Sequence, residues 1–115
     1  MNLTIQDLEA IGGRTLQVFS EGVERAEPDM CWEFNKQVSN LESQAIQLYG
    51  IVAILTKKED DIAKVAEMWD AMTRLVDTFA SKLKSLCDQH PFCETSHDTL
   101  LDLRNRCSRL RDLHA

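Results

Sequence analysis

The chain has 115 residues, 43% of them hydrophobic and 28% charged, and its 13 basic and 19 acidic side chains give a formal net charge of −6. That composition belongs to a single globular domain with one core, and it excludes a disordered or fibrous chain. Four glycines and two prolines are too few for the turns of a barrel or sandwich, and the acidity argues against nucleic acid or an anionic membrane as the main partner.

Thr4 opens the first helical segment, and Asp7, three residues on, can return the bond in a capping box. Ile5, Leu8, Ile11, Thr15, Phe19, Val23 and Ala26 then recur at spacings of three and four. Gly12-Gly13 interrupts this stripe at a cost of about 2 kcal/mol of intrinsic helix stability. The pair marks a kink, a close helix contact or the end of a short leading turn. Pro28 predicts a break before the next helix.

Phe34, Val38, Leu41, Ala45, Leu48, Val52 and Leu55 form a heptad seam and predict a second helix over about 29–55. Thr56-Lys-Lys-Glu59 reads as a capping box that reverses the chain into a third helix. A continuous rod is the alternative there, because neither Gly nor Pro forces a stop. Ile62, Val65, Trp69, Met72, Val76, Phe79, Leu83 and Leu86 carry the third seam without a fault, up to His90-Pro91. Thr95 or Ser96 can cap a fourth helix, whose apolar face is Leu100, Leu103, Cys107, Leu110 and Leu113 or His114. Short connections between four amphipathic helices predict an all-α fold, an antiparallel helical bundle with a long hairpin of helices 2 and 3.

Helix 2 carries more apolar surface than one seam needs. Trp32, Ile46, Tyr49, Gly50, Ala53 and Ile54 lie away from the seam, so either helices 1 and 4 cover them or a second protein does. The expectation is a protein-interaction module, an adaptor, chaperone or regulatory subunit, that uses this face with a protein partner or as a homo-oligomer. Trp32 and Tyr49 would serve as anchors, and Gly50 would admit a second backbone.

The competing reading centres on Cys87, His90, Cys93 and His97, which fall within eleven residues as C-x2-H-x2-C-x3-H. All four are zinc-ligand types, although structural zinc sites more often pair two close cysteines with a distant second pair. A Cys87–Cys93 disulfide is a further possibility, and Cys93 is the best candidate for a reactive thiol. Glu94 and His97 match one half of a di-iron helix motif, but no second half accompanies them. Arg104, Arg106, Arg109 and Arg111 make a basic patch on helix 4. It reads as a solvated helix end partly paired with Asp102 and Asp112.

No phosphate loop or buried acid–base pair can be nominated, so the expectation is a protein that is not an enzyme and carries no cofactor. Ala45–Leu55 would span only ~17 Å as a helix, about half the hydrocarbon thickness of a bilayer, so no membrane span is expected. The opening residues lack a basic stretch followed by a long apolar run. A cytoplasmic protein with Cys31, Cys87, Cys93 and Cys107 reduced follows as the expectation.

Overall fold

In a computed structural model, which describes residues 3–27 and 29–114, the described residues form four helices and no strand. These are α1 (Ile5–Arg25), α2 (Cys31–Lys57), α3 (Ile62–Asp88) and α4 (Asp98–His114). The break expected at Pro28 falls between α1 and α2; Pro28 itself lies outside the described residues.

The capping box forms at the start of α1. The Asp7 N–H donates to Thr4 Oγ1 at 3.1 Å, and the Thr4 N–H donates to Asp7 Oδ2 at 3.0 Å. The helix then runs unbroken through Gly12-Gly13. The reason lies in the packing. Gly12 is buried where α1 crosses α3, and a Cβ there would collide with Leu75 Cδ1. Close approach of the two helices offsets the intrinsic cost of glycine.

The reversal between α2 and α3 differs in detail from its expected form. The Thr56 hydroxyl donates back to the carbonyls of Val52 at 2.8 Å and Ala53 at 3.2 Å, which makes it part of the last turn of α2. Asp61 caps α3 instead, its Oδ1 accepting the Ala63 N–H at 3.0 Å. At the head of α4, Ser96 Oγ accepts the Asp98 N–H at 3.1 Å. The rod alternative falls, because Tyr49 of α2 packs on Trp69 of α3 with ring centroids 5.4 Å apart.

The seams meet in one core. Phe19, Phe34, Leu41, Met72, Phe79 and Leu83 are among its fully buried side chains. Each such residue contributes roughly 1.5–3 kcal/mol through removal of its apolar surface from water. Ile62, expected to begin the third seam, is instead mostly exposed at the first turn of α3. The molecule measures 50 × 24 × 17 Å. α3 packs most closely on α4, and both α1 and α4 touch both helices of the central hairpin. Among the described residues α1 and α4 do not meet, so they flank the hairpin from opposite sides.

Candidate functional site

The flanking arrangement leaves α2 covered on three sides and open on the fourth. At 100° per residue, Trp32, Ile46, Gly50 and Ile54 lie within about 40° of one line, diametrically opposite the buried seam. Trp32 is 65% exposed, Ile46 51% and Ile54 59%. The line is not continuous. Trp32 stands about 21 Å along the axis from Ile46, and the exposed residues between them include Lys36, Ser39 and Ser43. The compact apolar portion is therefore the last third of the helix, Ile46, Gly50 and Ile54, with half-buried Ala53 beside them.

Tyr49 belongs elsewhere. It sits on the flank of α2 and is half-buried against Trp69 and the core. It acts as a hairpin contact, so a polar substitution there would disturb the fold as well as the surface.

Trp32 has a different neighbourhood. Cys31, the first residue of α2, forms a disulfide with Cys93, with the Cα atoms 5.2 Å apart at a sequence separation of 62. This corrects two expectations. The cysteines are not all reduced, and Cys93 does not pair with Cys87. The bond also removes Cys93 from the proposed quartet of Cys87, His90, Cys93 and His97. Among the described residues no three or more His, Cys, Asp or Glu side chains gather as metal ligands.

His90 is buried and stacked on Phe34, with ring centroids 4.7 Å apart and planes 15° from parallel. Its Nδ1 is buried without a hydrogen-bond partner. His97 is half-buried at the head of α4. The two remaining thiols are packing residues. Burial raises Cys87, with Asp88 adding to the effect, and burial pushes Cys107 up to about 12. Neither is poised to act as a thiolate.

The connection 89–97 thus docks on one turn of α2. Cys93 bonds Cys31, His90 stacks on Phe34, and Thr95 Oγ1 donates to Asn35 Oδ1 at 2.8 Å. Residues 31, 34 and 35 are neighbours on one helical face. Met30 supplies no side-chain cap to that turn. Comparison with known proteins gave no matching family, no matching curated protein and no matching solved structure.

The arginines divide. Arg104 pairs with Asp77 of α3 at 3.3 Å, and Arg111 pairs with Asp70 of α3 at 3.5 Å and with Asp112 at 3.1 Å. Arg106 and Arg109 are exposed. Half of the basic patch therefore fastens α4 to α3, with Asp70 and Asp77 taking roles that the sequence suggested for Asp102 and Asp112 alone. No helix among the described residues is long and apolar enough to cross a membrane.

Sequence reasoning missed the Cys31 partnership and the exposure of Phe92, which is 85%. A signal for the first was present. An antiparallel hairpin returns the end of α3 to the start of α2, so a cysteine just beyond one meets a cysteine at the other.

Proposed function

We propose that this chain is a non-catalytic protein-interaction module whose partner is a second copy of itself, joined through the last third of the outer face of α2. The observation that carries this reading is a contrast between the two central helices. α2 and α3 both touch α1 and α4, although α4 packs mainly on α3. Beyond its first turn, α3 turns Lys64, Glu67, Arg74, Thr78, Lys82 and Lys84 to solvent. α2 turns out polar residues as well, Lys36, Ser39, Ser43 and Gln47 among them, but its last third adds exposed Ile46 and Ile54 with partly exposed Gly50 between them.

Gly50 strengthens the contrast. Gly12 is explained by Leu75, and Gly22 lies against Gln37, where a Cβ would come within 2.5 Å of Cδ. At Gly50, as at Gly13 on α1, a Cβ would meet nothing among the described residues within 4 Å. A mid-helix glycine costs about 1 kcal/mol against alanine, and Gly50 is the one of these two that lies between two exposed isoleucines. A two-fold axis passing Gly50 with the helices antiparallel would set Ile46 of each copy on Ile54 of the other. The patch is self-complementary, as an isologous dimer requires. Two turns of helix make a small interface, below ~1,200 Å² in total, so the association is weak and concentration-dependent.

Sedimentation velocity over a concentration series tests the reading. The wild type is expected to shift reversibly from monomer to dimer. Ile46→Asp with Ile54→Asp is expected to stay monomeric with unchanged far-ultraviolet circular dichroism. A wild type that remains monomeric at the highest soluble concentration refutes self-association. The Cys31–Cys93 bond supports a setting where disulfides persist or cycle, rather than a constantly reducing cytoplasm.

A further inference from the structure

We infer that the Cys31–Cys93 disulfide is a thiol–disulfide exchange site, attacked at Cys31 by a dithiol, and that opening it releases the 89–97 connection from the first turn of α2. The two sulfurs are unequally placed. Cys31 is partly exposed at the first position of a helix and packs against the edge of the core, whereas Cys93 is only 7% exposed within it. Cys31 is thus the more accessible of the two to an incoming thiolate, which makes Cys93 the leaving group. The residues that follow Cys31 and precede Cys93 in sequence, Trp32 and Phe92, are both largely in water.

The chemistry balances with a dithiol as reductant. Its first thiolate attacks Cys31 Sγ, the Cys31–Cys93 bond breaks, and Cys93 leaves as a thiolate that takes a proton. The second thiolate of the dithiol then attacks its own partner sulfur in the mixed disulfide. The bond to Cys31 breaks, and Cys31 leaves and is protonated. Two electrons and two protons pass from the dithiol to the protein, and the dithiol ends as a disulfide. Cys87 and Cys107 stand outside the bond as free cysteines, and the step as written needs neither.

The consequence follows from what else holds the connection. Without the covalent link, 89–97 keeps the stack of His90 on Phe34, the exposed bond of Thr95 to Asn35 and the packing of the small Cys93 side chain in the core cluster. The stack buries His90 Nδ1 unpartnered, and a buried polar atom without a partner favours the open state, where water satisfies it. The first turn of α2, uncapped by any side chain at Met30, loses its anchor in the same event. The inference stands whether or not α2 self-associates.

Hydrogen–deuterium exchange of the whole protein, oxidised and after dithiothreitol, is the test. Amides of 89–97 and 31–35 are expected to exchange at least tenfold faster after reduction and, in the reduced protein, well ahead of those of 69–83, which lose only the protection that the lower global stability takes from every core amide. Wild-type protection that is unchanged in 89–97 overturns the inference, and so does exchange of 89–97 in step with 69–83 in the reduced protein, which would make the bond a global staple only. The site of attack is read separately on the oxidised wild type with glutathione, which attacks the intact bond. Alkylation and peptide mapping of the trapped mixed disulfides are expected to find glutathione on Cys31 at least tenfold more often than on Cys93, and equal occupancy overturns the assignment.

Discussion

Replacing Gly12 by alanine should destabilise this protein, whereas the same change at Gly13 should stabilise it. Both residues lie inside α1, so each substitution gains about 1 kcal/mol of intrinsic helix propensity. At Gly13 nothing opposes the gain, because a Cβ there meets nothing within 4 Å. At Gly12 the new methyl strikes Leu75 Cδ1, with Cδ2 and Cγ both only 3.0 Å away. The whole Leu75 side chain must move, since its branch point and both methyls are involved. It is buried on α3 between two packed helices. Overpacking of this kind costs roughly 1–3 kcal/mol. The two variants should therefore differ by about 1–3 kcal/mol, read as the separation of their urea midpoints at equal slope. Leu75→Val in the Gly12→Ala background should recover part of the loss, because contacting residues couple. Equal stabilisation by the two alanines would show that α1 and α3 do not approach as closely as described, and the reason given for the uninterrupted α1 would fall with it.

Three further outcomes are expected. The double variant Cys31→Ser with Cys93→Ser should lose about 4 kcal/mol on the chain-entropy estimate for a loop of this length. Denaturant titration should show the same loss for wild type in dithiothreitol and none for the variant when the reductant is added. The Asp7 carboxylate is held below its ordinary range by its bonds to Thr4. A lowered acid adds stability that is present above about pH 4 and is lost as the pH falls through the folded value. Asp7→Asn should therefore lack that pH-dependent increment, and its stability measured against wild type should converge at low pH. Gly50→Ala should stabilise the monomer by about 1 kcal/mol while weakening dimerisation in sedimentation. A variant that dimerises as well as wild type would place the contact elsewhere.

The helices were legible because each seam is a long periodic pattern that burial alone can satisfy. Phe34 through Val52 and Val65 through Leu86 face the core as their spacing predicts. The Thr4 cap was legible for a similar reason, since its partner is three residues away. Thr56 was not, because Thr-x-x-Glu reads alike at the end of one helix and at the start of the next. Its hydroxyl chose the carbonyl of Val52, a local competition that the sequence pattern does not rank. Tyr49 looked like surface because it lies away from the seam. It lies on the flank, however, and its ring is long enough to reach Trp69 across the hairpin. Cys93 looked like a partner for its near neighbours, yet its bond is to Cys31, 62 residues away. Spacing along the chain carries no information about a contact that topology creates.

One topological fact underlies both proposals. In a square bundle each helix touches two neighbours, and the first and last helices close the ring. Here α1 and α4 stay apart and each spans the central hairpin, so α2 and α3 are each touched on three sides. A helix held on three sides needs a polar fourth face unless something covers it. α3 meets that requirement and α2 does not. The same arrangement brings the start of α2 and the end of α3 to one end of the molecule, where the 89–97 connection has no ring-closing contact between α1 and α4 to rest on. It rests instead on a single turn of α2, through Cys31, Phe34 and Asn35. The exposed face and the redox-sensitive turn thus lie on the same helix. Chemistry at Cys31 frays one end of α2, while the Ile46–Gly50–Ile54 surface lies 15 or more residues away along it. Reduction should therefore leave dimerisation intact. If dithiothreitol dissolved the dimer as effectively as Ile46→Asp, the contact between copies would have to run through Trp32 and the first turn, and the axis placed at Gly50 would be wrong.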